Sequence, residues 1–214
     1  MSAYYGASNG HYRTGMTSIG SPLTMAGWLK LDTVDAASCI ALQLSGGPWV
    51  THWIVYDGSI DKWYYGCRNG GSDYRAQQTS AASANWTHVA AVSISNASRK
   101  LYINGVEEAS NTMSLSPSST VFSSGFRTDG AIPSTGGAYM AGQVADAAVW
   151  ATALTAGQVA SLAAGASPLV VAPADLRLYA PLRNGAGVDL KAATALSSYG
   201  TPTAGSSHPR LYPA

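Results

Sequence analysis

From Trp86 the chain alternates: Trp86, His88, Ala90, Val92 and Ile94 fall in one register, Thr87, Val89, Ala91, Ser93 and Ser95 in the other. A period of two marks a β-strand with one face on a core. It predicts Trp86 and His88 inside a sandwich, near Trp28 and Ile103. A polar break at Ser95–Ser98 leads into Leu101-Tyr102-Ile103, and Asn104-Gly105 follows. Asn and Gly tolerate positive φ, so this pair predicts a tight hairpin turn into Val106. The same criteria predict strands over Leu23–Leu31, Cys39–Leu44, Trp49–Tyr56, Trp63–Cys67, Val121–Phe126, Ala138–Trp150 and Leu176–Leu182. Clusters such as Gly46-Gly47-Pro48 and Asn69-Gly70-Gly71-Ser72 separate them.

One segment changes period. Ala156–Ala164 carries Val159 and Leu162 on one narrow helical stripe. Thr155 caps its start, Gln158 three residues on reaches back, and Gly165 ends it. Pro168 and Pro173 bracket an extended link to Leu176–Leu182, which Pro181 closes as an edge strand. The expected architecture is an all-β antiparallel sandwich over residues 1–182 with one short helix. A Gly/Ala/Ser/Thr-rich tail over 183–214 then packs on the sandwich or on a partner.

Three ordered segments carry a family resemblance. Trp86-Thr87-His88-Val89 followed by Leu101-Tyr102-Ile103-Asn104-Gly105 resembles the centre of the laminin-G-like, concanavalin-A-like jelly rolls. Leu23-Thr24-Met25-Ala26-Gly27-Trp28-Leu29-Lys30 is similar to that family's early core strand. Gly142–Trp150, with Ala153-Leu154-Thr155, is similar to its late strand and the helix that follows. The tail, with Tyr179-Ala180-Pro181-Leu182, Asp189-Leu190 and His208-Pro209-Arg210, resembles that of laminin-G-like proteins encoded by bacteriophages. The resemblance implies a jelly roll; one fold hosts many unrelated sites, so function must come from residues.

Composition narrows the classes. The 214 residues suit one β-sandwich, and charged residues make up only 11% against 46% hydrophobic. Solubility therefore rests on Ser, Thr, Asn and Gly. The formal net charge is +1 and no Lys/Arg run occurs, which argues against nucleic acid or an anionic membrane as partner. Met1–Gly6 has no basic or apolar leader character, and no apolar run reaches the roughly 18 residues that span a bilayer. The expectation is synthesis in a host cytoplasm. The two cysteines, Cys39 and Cys67, form no disulfide framework and are expected as buried thiols.

Catalytic chemistry is sparse. The related glucanases need two carboxylates about 5–5.5 Å apart. Here the two glutamates, Glu107 and Glu108, are adjacent and point to opposite faces of an extended chain, and the aspartates are scattered. The four histidines lie far apart, and neither a Gly-x-Ser-x-Gly elbow nor a His-Glu-x-x-His helix is present. No catalytic or metal-ligating residue is assigned. Calcium, which some laminin-G-like domains bind, is the one metal to weigh, but the family's acidic pair before the late strand is Ala145-Asp146 here, with one acid left.

Two binding readings remain. Trp49, Trp53, Trp63, Tyr64, Tyr65 and Tyr74 crowd a region that also holds Arg68, Asn69 and Asp73. Sugars take aromatic platforms with a few polar groups, so Trp63, Tyr64, Asn69, Asp73 and Tyr74 are candidate glycan contacts. Both registers of Trp49–Tyr56 are bulky, however, as in a strand packed on two sides. The chain ends carry isolated Tyr and Arg anchors, Tyr4, Tyr5, Tyr12, Arg13, Arg210 and Tyr212, suited to an ordered interface. With the phage-like tail they point to a non-enzymatic bacteriophage virion component. It would decorate the capsid or join the tail, binding other virion proteins or its own copies. The alternative is a carbohydrate-binding adhesin.

Overall fold

The computed structural model describes residues 2–5, 9–34, 37–128 and 138–206. In chain order the strands are β1 (Ala3–Tyr5), β2 (Gly10–Arg13), β3 (Leu23–Leu31), β4 (Cys39–Gly47), β5 (Val50–Asp57), β6 (Lys62–Asn69), β7 (Ser72–Gln77), β8 (Thr87–Ser95), β9 (Ser98–Ile103), β10 (Val106–Asn111), β11 (Val121–Ser124) and β12 (Gly142–Trp150). The helix α1 (Ala156–Ala163) follows, then β13 (Leu176–Ala180), β14 (Val188–Asp189), β15 (Thr194–Ala195), β16 (Ser197–Tyr199) and β17 (Thr203–Ala204). One sheet runs β10-β9-β8-β3-β12-β1-β17, with β13 also on β12; the other runs β16-β2-β11-β4-β5-β6-β7. All these pairings are antiparallel, as in a jelly-roll sandwich.

The main core lies between the sheets. β3 sends Leu23, Met25, Leu29 and Leu31 inward. Gly27 shares that register, and a Cβ there would stand 3.2 Å from Leu42 Cδ1 of the facing sheet, so only a glycine leaves the spacing untouched. Leu42, Leu44, Ile54, Tyr56, Trp63 and Tyr65 fill the opposite side. The Asn104-Gly105 turn forms as its composition demands, with φ of 49° and 86°, and Asn104 N donates to His88 O at 2.8 Å.

A second core lies outside the first sheet. There α1 and the segment after it cover Ala26, Ala90, Val92, Ala148 and Trp150 with Leu154, Val159 and Leu162. Thr155 and Gln158 cap α1 reciprocally, and Gly165 leaves it at φ 98°. This layer corrects the predicted faces of β8. Val89 and Ala91 face the sandwich interior, while His88, Ala90 and Val92 face the helix side. Trp86 is half-buried ahead of the strand. Trp28 does meet His88, at 5.4 Å between ring centroids, but Ile103 packs on the main core instead. With both faces covered, alternation alone cannot say which is interior.

β12 is buried along its whole length. A bulge between Ala145 and Ala148, with Asp146 at φ 51°, bends it. Along one edge it pairs first with β1 and then with β13. The tail continues the sheets: β16 pairs with β2, and β17 with β1.

Candidate functional site

Among the described residues no helix lies over the outer face of the second sheet. Alternation along β4, β5 and β6 sends Ile40, Trp53, Val55 and Tyr64 to this side, where they form a small cluster apart from the main core. Trp53 stands opposite Gly66 in the ladder. A Cβ on Gly66 would lie 1.7 Å from Trp53 Nε1, so the missing side chain is what lets the indole lie across the strand. Trp53 is buried, and among the described residues its Nε1 has no hydrogen-bond partner. Trp49, at the turn into β5, adopts φ 62° and is 46% exposed.

Three arginines frame these rings. Arg68 Cζ lies 4.0 Å from the Trp49 ring centroid, and Arg75 Cζ 4.4 Å from that of Tyr64. Arg127 Cζ lies 5.1 Å from Trp49 and 6.0 Å from Trp53. The last comes from a distant part of the chain, stitched down by the buried amide of Gln43. Thr128 N donates to Gln43 Oε1 at 2.7 Å, and Gln43 Nε2 donates to Thr51 Oγ1 at 2.9 Å and Thr128 O at 3.1 Å. Ser38, Ile40, Trp53, Val55, Tyr64, Arg127 and Ala138 enclose a cleft of about 140 Å³.

The charges at the Tyr64 end are balanced. Asp57 and Asp73 both salt-bridge to Arg75, at 3.5 and 3.6 Å. The Ser59 hydroxyl holds the Asp57 carboxyl below its ordinary pKa. Burial pushes the Tyr64 phenol up to about 12, so it stays protonated. Asp73 Oδ1 is buried without a hydrogen bond.

The candidate glycan residues divide between faces. Tyr64 belongs to the outer cluster, and Asp73, opposite Arg68 in the ladder, shares its face. Trp63 is fully buried in the main core. Tyr74 pairs directly with Cys67 and so shares its inward face, and Asn69 sits exposed at the β6–β7 turn. The odd-numbered alternation Thr51-Trp53-Val55 was the legible signal for this cluster. Nothing local announced Arg127.

Elsewhere the reactive groups are absorbed by the fold. Glu107 pairs with Lys100 at 2.8 Å, and Glu108 accepts from Thr79 and Ser80. His52 bonds Tyr65 Oη at 2.7 Å, and burial depresses its pKa to about 3; burial likewise lowers His11 and His88 to about 4. Cys39 and Cys67 are free and buried, their thiols raised to about 12 and about 11 by desolvation. Among the described residues no three His, Cys, Asp or Glu side chains come together. Asp146 accepts from Tyr179 Oη at 2.7 Å.

The proposed anchors at the chain ends are engaged internally. Tyr5 is fully buried and its hydroxyl bonds His11 Nδ1 at 2.8 Å, so it offers no surface to a partner. Arg13 pairs with the buried Asp189 of the tail. Tyr4 donates to Asp32 at 2.9 Å, and half-buried Tyr12 sits edge-on to Phe126. Arg210 and Tyr212 lie outside the described residues.

Solved structures share this fold. A candidate carbohydrate-binding protein from Bacteroides ovatus aligns at TM-score 0.64 and 15% identity, covering 95% of this chain and 61% of its own, so this chain spans under two thirds of that protein. The CBM40 domain of the Ruminococcus gnavus IT-sialidase, bound to α2,3-sialyllactose, aligns at 0.57 and 12%, covering 76% of this chain and 97% of its own. Domain 4 of an extracellular arabinanase from Geobacillus stearothermophilus, in complex with arabinotriose, aligns at 0.56 and 22%, covering 72% of each. No curated protein matches the chain. A family profile described as Concanavalin A-like lectin/glucanases superfamily (Laminin_G_3) matches residues 6–160, and the chain belongs to that family.

Proposed function

We propose that this protein is a non-enzymatic carbohydrate-binding domain whose ligand lies on the outer face of the second sheet, along Trp49, Trp53 and Tyr64. The observation that carries the reading is the half-exposed Trp49 beside the buried Trp53–Tyr64 cluster, framed by Arg68, Arg75 and Arg127. Sugar rings offer apolar C–H faces to such rings and hydroxyls to flanking polar groups. Among the described residues Trp53 Nε1 is a desolvated donor without an acceptor, a cost that a ligand hydroxyl reaching it relieves. Structures of the same fold that hold arabinotriose and sialyllactose support the ligand class. A non-catalytic role is supported by the two glutamates, whose carboxylates serve Lys100 and the Thr79-Ser80 backbone.

This reading displaces assembly into a bacteriophage particle. That expectation rested on low charge and on a tail resembling those of bacteriophage proteins, with the chain ends as the interface, and Tyr4, Tyr5, Tyr12 and Arg13 make their contacts within their own chain. The test is a glycan array followed by titration of the intact chain. Trp49→Ala and Trp53→Ala should each weaken any glycan found by about tenfold or more, a loss of about 1.4 kcal/mol. Binding that survives both substitutions unchanged would move the site elsewhere.

A further inference from the structure

A cavity of about 480 Å³ opens where the chain leaves β13, and we propose that it binds an alkyl carboxylate, the hydrocarbon against its walls and the carboxylate at Arg183. The walls include Leu169, Pro181, Leu182, Val188 and Leu190, and Arg183 shares the lining. Leu169, Val188 and Leu190 are 43, 40 and 48% exposed, so three large apolar side chains that the fold leaves in water converge on one hollow. Single exposed leucines are ordinary, whereas a set of them around a concave volume of ligand size marks a binding site. None of these residues lines the aromatic cleft, so the two sites are separate and neither reading depends on the other.

Hydrogen bonds behind the walls hold the hollow in shape. Leu190 N donates to Tyr179 O at 2.8 Å, and Leu196 N to Gly187 O at 2.9 Å. The buried carboxylate of Asp189, between Val188 and Leu190 in the chain, accepts from Tyr179 N at 3.1 Å and Lys191 N at 2.9 Å and pairs with Arg13. Leu182 is fully buried in the main core at φ 54°, a conformation that costs a leucine energy and persists where the surroundings fix it. That turn puts Arg183 in the same lining as Pro181. Among the described residues no ion pair involves Arg183. Apolar walls accept any hydrocarbon, and the guanidinium, always charged and forked, singles out one that ends in a carboxylate. Burial of methylenes then supplies most of the affinity, with a modest preference from the solvent-exposed charge pair.

The test titrates the intact chain by calorimetry with octanoate, decanoate and decanol, each below its aggregation concentration, and maps binding by methyl NMR. A buried methylene is worth about fourfold in affinity, so decanoate should bind about tenfold or more tightly than octanoate. Decanoate should also bind severalfold more tightly than decanol, a preference that about 0.5 M salt weakens. The methyl signals of Leu169, Val188 and Leu190 should shift on binding. Leu190→Ser should weaken decanoate and decanol alike. Arg183→Gln should erase the difference between them while leaving decanol binding and the melting temperature unchanged. Failure of decanoate to bind, shifts confined to methyls outside this cavity, or a preference for decanoate over decanol that survives Arg183→Gln would each overturn the proposal.

Discussion

The two outer faces of the sandwich start from similar material and end differently. Outside the first sheet, Trp150 is completely buried under α1, and its Nε1 donates to Val171 O at 2.8 Å. Outside the second sheet, Trp53 has an Nε1 with no acceptor among the described residues, and Trp49 beside it is half exposed. Both faces present tryptophan and aliphatic side chains. The difference is the layer above: a capped helix with Val159 and Leu162 on one side, and a ridge at Arg127-Thr128 pinned by Gln43 on the other. A helix turns an outer face into core, whereas a polar ridge over part of a face leaves an aromatic cleft.

Acid should expose the contrast most strongly. His11, His52 and His88 are buried and neutral, with pKa values near 4, 3 and 4. The unfolded chain takes up protons below the ordinary value of about 6.5, while the folded chain does not. Their penalty is thus absent above about pH 6.5 and grows as pH falls toward the folded values. By about pH 5 each imidazole costs roughly 2 kcal/mol, so stability should drop by on the order of 6 kcal/mol. Urea titrations at stepped pH measure this, and His88→Gln should remove about a third of the slope. None of the three lies in the aromatic cleft, so glycan affinity of the folded protein should be flat over the same range. A stability that ignores pH would contradict the buried neutral imidazoles.

Next in size is Trp150→Ala, which empties the centre of the helix-covered core and should cost about 3–5 kcal/mol by urea midpoint. Glycan affinity of the folded fraction should be unchanged. Trp49→Ala is its mirror image, with stability within about 0.5 kcal/mol of the parent and affinity lost. If the two variants behaved alike, the distinction between a sealed face and a binding face would collapse. Smallest is Thr155→Ala, which removes one half of the capping box and should cost about 1 kcal/mol. That loss should appear first as faster amide exchange in α1, leaving β5 and β6 protected.

Much of the fold was legible because local rules and global packing agree. Asn104-Gly105 demanded a positive-φ turn and formed one. Thr155 with Gln158 wrote a cap that both residues complete. The alternation of β3 and β5 marked real strands. Short pieces escaped notice: β1, β2 and β14–β17 have between two and four residues each, too few to establish a period. β7, Ser72–Gln77, was hidden by its polar edge-strand composition.

The candidate site was half legible for a related reason. Tyr64 and Asp73 were singled out and lie on the outer face, but Trp63 and Tyr74 alternate with them and point inward. Crowding of aromatics in sequence says that a region is aromatic and leaves open which side each ring takes. Arg127 could not be placed at all, since its position depends on Gln43 accepting from Thr128 N across 85 residues of chain.

What the sequence determined by itself, then, is the set of local choices: strand periodicity, turn chemistry, the helix cap, and a low, evenly balanced charge content. Those depend on neighbours within a few residues, where sterics and hydrogen bonds act directly. The tertiary structure alone decided which register of each strand became interior, which outer face was sealed, and which arginines met which tryptophans. Such outcomes depend on what another part of the chain lays over a strand; burial is a property of the assembled layers, and the same alternating pattern serves equally well beneath a helix or beneath a ligand.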